Sequence, residues 1–163
     1  MKSAIQNPKS KILLIGYGNP GRLDDGLGPA AAEAVEKMNI DGITVDSDYQ
    51  LTVEDAVEIA KHDVVIFVDA DVKGPEPFYF KKIKAADSVS FSSHSITPKS
   101  LLALMKEIYG NEVDAYVLGI RGYEFNEFEE RLSKKAKENL GAAVEFLGKT
   151  LKIKNFQEVC TEN

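Results

Sequence analysis

Ile12-Leu13-Leu14-Ile15-Gly16-Tyr17-Gly18-Asn19-Pro20-Gly21-Arg22-Leu23-Asp24-Asp25-Gly26-Leu27-Gly28-Pro29 carries an apolar run into a glycine-rich loop that ends in two carboxylates. A short unbroken apolar run, here Lys11 to Gly16, is the pattern of a strand buried on both faces. Pro29 suits the first turn of a helix, and Ala32, Ala34, Val35 and Met38 continue its apolar stripe. Outward from this unit the alternation repeats. Ile43-Thr44-Val45-Asp46 is a second strand. Thr52 with Asp55 is a capping signal for a helix through Ala56, Val57, Ile59 and Ala60. Val64-Val65-Ile66-Phe67-Val68-Asp69 is the clearest strand, β-branched and unbroken. Phe78-Tyr79-Phe80 gives a shorter one. Thr97-Pro98 is a cap followed by a first-turn proline, opening a helix with Leu101, Leu102, Leu104, Met105 and Ile108. Ala115 to Ile120 is a fifth strand, and a last helix starts near Ser133 with Ala136, Leu140, Ala143, Val144, Leu147 and Leu151 on one stripe. The expected fold is α/β: a three-layer sandwich whose mostly parallel, five-stranded twisted sheet is covered by helices on both faces. One domain is expected over residues 1–163, with a core from about 11 to 151 between a short N-terminal arm and a frayed C-terminal tail.

Composition excludes several classes of function. The 163 residues carry a net charge of -6, which opposes sequence-independent binding to nucleic acid. The basic runs Lys81-Lys82-Ile83-Lys84 and Lys134-Lys135-Ala136-Lys137 are short, acid-flanked and read as solvated faces. Cys160 is the single cysteine, so neither an intramolecular disulfide nor a thiolate zinc site can form. No apolar run approaches the roughly 20 residues of a membrane span, and no signal-peptide core opens the chain. These features predict a cytoplasmic protein.

The loop matches G-x-G-x-x-G, but three features oppose a pyrophosphate site. Pro20 cannot donate an N–H. The helix starts near Pro29, well past the third glycine. Asp24 and Asp25 would repel the phosphates, and the motif alone is a weak signal. The carboxylates make better sense as ligands or acid–base groups. In an open parallel sheet, sites lie beyond the carboxyl ends of the strands. Asp25 follows the first strand and Asp69 ends the strongest one, so both reach one crevice. Asp24 and Asp71 read as turn or cap residues. His62, at a helix-to-strand corner, reads as an exposed helix-terminal residue. His94 lies in the small-residue loop Phe91-Ser92-Ser93-His94-Ser95 ahead of a helix. Two carboxylates and one imidazole would suit a divalent transition ion with positions left open.

Taken together these segments resemble the hydrogenase maturation proteases, endopeptidases that trim the C-terminus of nickel–iron hydrogenase large-subunit precursors. The resemblance rests on Gly16-Tyr17-Gly18-Asn19 with Asp24-Asp25-Gly26-Leu27-Gly28, then Phe67-Val68-Asp69-Ala70, then Ser93-His94. Gly119-Ile120-Arg121-Gly122-Tyr123-Glu124 before the last helix adds to it. It implies a metal-contacting set of Asp25, Asp69 and His94, the first position being Glu or Asp among members. It implies catalytic work by Asp25 and Asp69, and nickel supplied by the substrate precursor, for which other divalent ions can substitute. His94-Ser95-Ile96 departs from members with a glycine-leucine pair after the histidine. Gln50 is a candidate substrate contact or a plain polar turn residue. The implied partner is the large-subunit precursor, met by a monomer, with no nucleic acid and no membrane. Water activation stays open between the nickel as Lewis acid and a carboxylate general base. Rival readings are a non-catalytic metal- or nucleotide-sensing module on the same fold and a germination-protease-like peptidase.

Overall fold

The computed structural model of the chain describes residues 10–89 and 96–161. Its strands are β1 (Ile12–Tyr17), β2 (Ile43–Asp48), β3 (Val64–Asp71), β4 (Phe78–Ile83) and β5 (Asp114–Arg121). They form one five-stranded sheet in the order β2-β1-β3-β5-β4, parallel except for β4 against β5. The helices are α1 (Leu27–Glu36), α2 (Asp55–Ala60), α3 (Pro98–Tyr109) and α4 (Lys134–Ile153). The expected mostly parallel sandwich is the observed fold.

Period-two alternation within unbroken apolar strands divides the core into two layers. Ile12 and Leu14 of β1 and Val64, Ile66 and Val68 of β3 pack with Leu27, Ala31, Val35 and, from α4, Ala143 and Leu147. Leu13, Ile15, Val65 and Phe67 point the other way, onto Ile59 of α2 and Leu101 and Met105 of α3. So α1 and α4 cover one face, α2 and α3 the other.

Several ends follow the sequence signals. Thr97 Oγ1 accepts the Ser100 N–H at 3.2 Å, with Pro98 in the first turn of α3. Ser133 Oγ accepts the Ala136 N–H at 3.4 Å to start α4. At α2 the expected Thr52 cap is reversed: Asp55 Oδ2 reaches back to accept the Thr52 N–H at 2.9 Å. Asp69 does not end its strand, because β3 runs on to Asp71, paired with Arg121. A 3-10 turn, Leu23–Gly26, occupies what reads in sequence as loop, and α1 starts directly after it. The C-terminal tail is not frayed up to Thr161. Phe156 is fully buried, and the Thr161 N–H donates to Phe80 O at 2.8 Å along the outer side of β4. Core packing therefore extends past the expected limit near 151. No described helix is long and apolar enough to cross a membrane.

Candidate active site

From β1 the chain passes through α1 on one face to β2, then returns through α2 on the opposite face to β3. β1 and β3 are neighbours, so their carboxyl ends flank the point where the winding reverses. Ligand crevices of open α/β sheets lie at such switch points. Asp25 stands in the 3-10 turn after β1, and Asp69 stands near the end of β3.

The loop between them is built to hold Asp25. Gly18 adopts φ +139°, and a Cβ there would sit 2.1 Å from Asp25 O. The Asn19 N–H donates to Asp25 Oδ2 at 2.8 Å, and the Gly21 N–H donates to Asn19 Oδ1 at 2.9 Å. The Gly18 N–H goes to Asp48 O and the Arg22 N–H to Asn19 O, both at 3.0 Å. These N–H groups, which a phosphate cradle would need, are therefore already bonded within the protein. Gly28 is closely packed as well: a Cβ there would meet Tyr17 O at 2.3 Å and Val68 O at 2.6 Å. That contact lets the start of α1 lie directly against both switch-point strands.

Asp69 is the strongly perturbed carboxyl of the crevice. Burial raises it, and the neighbouring Asp25 and Asp71 charges raise it further, against the Ala70 N–H and the Tyr17 hydroxyl, which lower it. The balance pushes it up to about 7. The Ala70 N–H donates to Asp69 Oδ1 at 2.8 Å. Burial first, and then the adjacent Asp69 carboxylate, hold the Tyr17 phenol well above its ordinary range. A second pair lies alongside. Tyr79 packs its ring over Gly119, where a Cβ would come within 2.3 Å of Cε2, and its hydroxyl bonds Asp71. The Lys73 and Gly74 N–H groups also bond Asp71, each at 2.9 Å. Asp71 thus keeps its turn role.

Asp24 is more than a turn residue. It is fully buried, and its carboxylate accepts N–H groups from Tyr123 at 2.8 Å, Glu124 at 3.0 Å and Ser133 at 2.8 Å. The Ser133 hydroxyl adds a bond of 2.7 Å. Burial works to raise this carboxyl, but the donors outweigh it and hold it below the usual carboxylate range.

The remaining sequence candidates separate. Gln50 is exposed in the turn after β2 and has no hydrogen bond or ion pair to Asp25 or Asp69 among the described residues. His94 lies outside the described residues, and among the described ones no group of three potential ligands assembles. His62 is half-buried, not exposed. Its Nδ1 meets Glu58 O at 2.7 Å, closing the end of α2, and its Nε2 lies 3.2 Å from Thr44 Oγ1. Sequence reasoning passed over Tyr17 and Tyr79. The available signal was an aromatic residue inside a glycine loop and a tyrosine whose strand partner is Gly119.

The molecule is thus an open α/β sheet with two carboxylates at its switch point. No family model matches the chain. A Methanocaldococcus jannaschii protein named "putative hydrogenase maturation protease" is 29% identical over 153 residues, covering 85% of this chain and 95% of that one. The [NiFe] hydrogenase maturation protease HycI of Thermococcus kodakarensis matches in structure with a TM-score of 0.69 and 25% identity. That match covers 88% of this chain and 93% of the other. The hydrogenase maturating endopeptidase HybD of E. coli shares the fold, with a TM-score of 0.64, 19% identity and coverage of 86% and 91%. The resemblance to the hydrogenase maturation proteases is thus carried by sequence and fold alike. The relative and both structural neighbours carry the names of hydrogenase maturation proteases or endopeptidases.

Proposed function

We propose that this chain removes a C-terminal peptide from a nickel-loaded [NiFe]-hydrogenase large-subunit precursor, with Asp25, Asp69 and His94 contacting the substrate's nickel. The observation that carries the reading is the convergence of Asp25 and Asp69 on one switch-point crevice, close enough for the charge of one to raise the other. The names of the relatives support the choice of substrate. His94 stands just ahead of α3 in sequence, and α3 packs on the face toward which Asp69 points, since Val65, Phe67 and Asp69 share one side of β3.

The nickel belongs to the substrate. Two oxygens and an imidazole bind such an ion modestly alone, and better once the precursor supplies soft thiolates. Other divalent ions would substitute by the same chemistry. Docking then brings the scissile bond to the crevice, which contributes proximity and orientation. Asp69, with a carboxyl near 7, is suited to exchange a proton with water at neutral pH. Asp25 is held in place through Oδ2, which accepts the Asn19 N–H. Gln50 is the proposed outer substrate contact. The proposed setting is cytoplasmic, with the chain acting as a monomer.

The test is incubation of the protein with a nickel-loaded precursor while the mass of the precursor is followed. Loss of a C-terminal peptide that requires nickel and is absent with Asp25→Ala or His94→Ala is expected. An intact precursor after prolonged incubation overturns the reading.

A further inference from the structure

The two edges of the sheet are treated differently. The outer side of β4 is covered at Phe80, whose N–H donates to Thr161 Oγ1 at 3.0 Å and whose carbonyl accepts the Thr161 N–H at 2.8 Å. β2 has a neighbour on one side only. The Ile12 N–H donates to Gly42 O and the Gly18 N–H to Asp48 O, both at 3.0 Å. Alternate residues of a parallel strand address the same neighbour. Thr44, Asp46 and Asp48 therefore turn their backbone groups to β1, and Val45 and Ser47 turn theirs outward. No described residue bonds those outward groups.

Val45 and Ser47 line a cavity of about 480 Å³ between β2, α1 and the segment 130–132. Pro20 and Gly26, from the loop that carries Asp25, close its near end. Its walls are acidic. Glu36 and Glu130 have no ion pair among the described residues, whereas Glu33 is paired with Lys37 at 3.2 Å. Among the described residues Arg131 is the only basic one lining it, and it is bound to Glu124 at 3.3 Å and to Glu129.

We propose that this trench binds an extended, lysine- or arginine-bearing segment of the protein substrate as an added strand on β2. The proposal rests on the reading of the chain as an enzyme that acts on a polypeptide. Main-chain bonds to Val45 and Ser47 supply the register, and the carboxylates select basic side chains. A strand laid there leads toward the loop that holds Asp25. A second copy of the chain fits less well, because pairing two β2 edges would set Asp46 and Asp48 against the same acids.

The test titrates the full-length protein with two labelled peptides, one alternating lysine and valine and the other glutamate and valine, read by fluorescence anisotropy. The lysine peptide binds and weakens with added salt, and the glutamate peptide does not bind. Ser47→Pro removes one outward N–H at an edge position where proline is tolerated. It weakens binding by roughly tenfold, the equivalent of one lost main-chain bond. Glu36→Lys combined with Glu130→Lys, both exposed, weakens it comparably and guards against a folding defect in the proline variant. Lysine-peptide binding that is absent, or unchanged in both variants, overturns the trench. Precursor cleavage is assayed in parallel. Cleavage by the parent with no peptide binding removes the trench alone, and variant-sensitive peptide binding supports it even where no precursor is cut.

Discussion

On one side of the turn after β1, Asp24 is sealed beneath residues 123–133, and every oxygen it offers is taken by a donor from that distant segment. On the other side Asp25 is half-buried, receives one N–H from its own loop, and shares a crevice with Asp69. The same residue type at adjacent positions thus meets opposite surroundings. The sealed carboxylate is held ionised by its donors. The crevice drives Asp69 the other way, toward the neutral form, because burial and like charge are incompletely offset. One half of the turn locks the loop in place, which allows the other half to carry groups at unfavourable charge density.

The sharpest way to break this contrast is Asp24→Ala. It leaves three N–H groups and the Ser133 hydroxyl without their acceptor and should lower stability by roughly 3–4 kcal/mol. A denaturant midpoint like that of the parent would remove Asp24 from its anchoring role. Asp25→Ala should do the reverse. Precursor cleavage is expected to fall roughly 100-fold or more, with a stability loss of about 1 kcal/mol or less from the single Asn19 contact. A large loss of stability would show that the two halves are not separate.

Acidity distinguishes the halves by sign. The Asp24 carboxyl lies below its unfolded value of 3.8, so its contribution is present above that pH and is lost as pH falls further. Asp69 lies above its unfolded value, at about 7, so the native state holds a proton that the unfolded chain has released. Its effect is a decline in stability as pH rises from about 4 to 7. Equilibrium unfolding across this range should show that decline in the parent and not in Asp69→Asn. A nickel contact by Asp69 requires the carboxylate, so precursor cleavage should rise with pH through the same interval.

The smallest expected effect is that of Tyr17→Phe. Removal of the hydroxyl takes away a bond that lowers Asp69, so the cleavage profile should move to higher pH. Stability should fall by roughly 0.5–1.5 kcal/mol. An unmoved profile would show that Tyr17 only fills space.

Much of the fold was legible because its determinants are local. Unbroken apolar strands of β1 and β3 must bury both faces, and Thr97-Pro98 and Ser133 start their helices through their own side chains. The pairing of Asp25 with Asp69 was legible too, since both follow from strand ends in an alternating α/β pattern. The role of Asp24 was not, because its donors stand 99 to 109 positions later in the chain. The tail beyond about 151 reads in sequence as frayed, yet Phe156 completes a core cluster with Tyr116, their ring centroids 5.5 Å apart. Pro20 was the sequence's argument against a phosphate cradle in the glycine loop, and the structure adds that the loop N–H groups of Gly18, Asn19, Gly21 and Arg22 already have acceptors.

The sequence by itself determined the layered α/β architecture and the loop that bears two carboxylates, because periodicity and turn chemistry act over a few residues. Only the tertiary structure decided which of those carboxylates is an anchor and which faces the crevice. That choice depends on which distant N–H groups reach each oxygen and on how much water remains, and neither is written in the neighbouring residues.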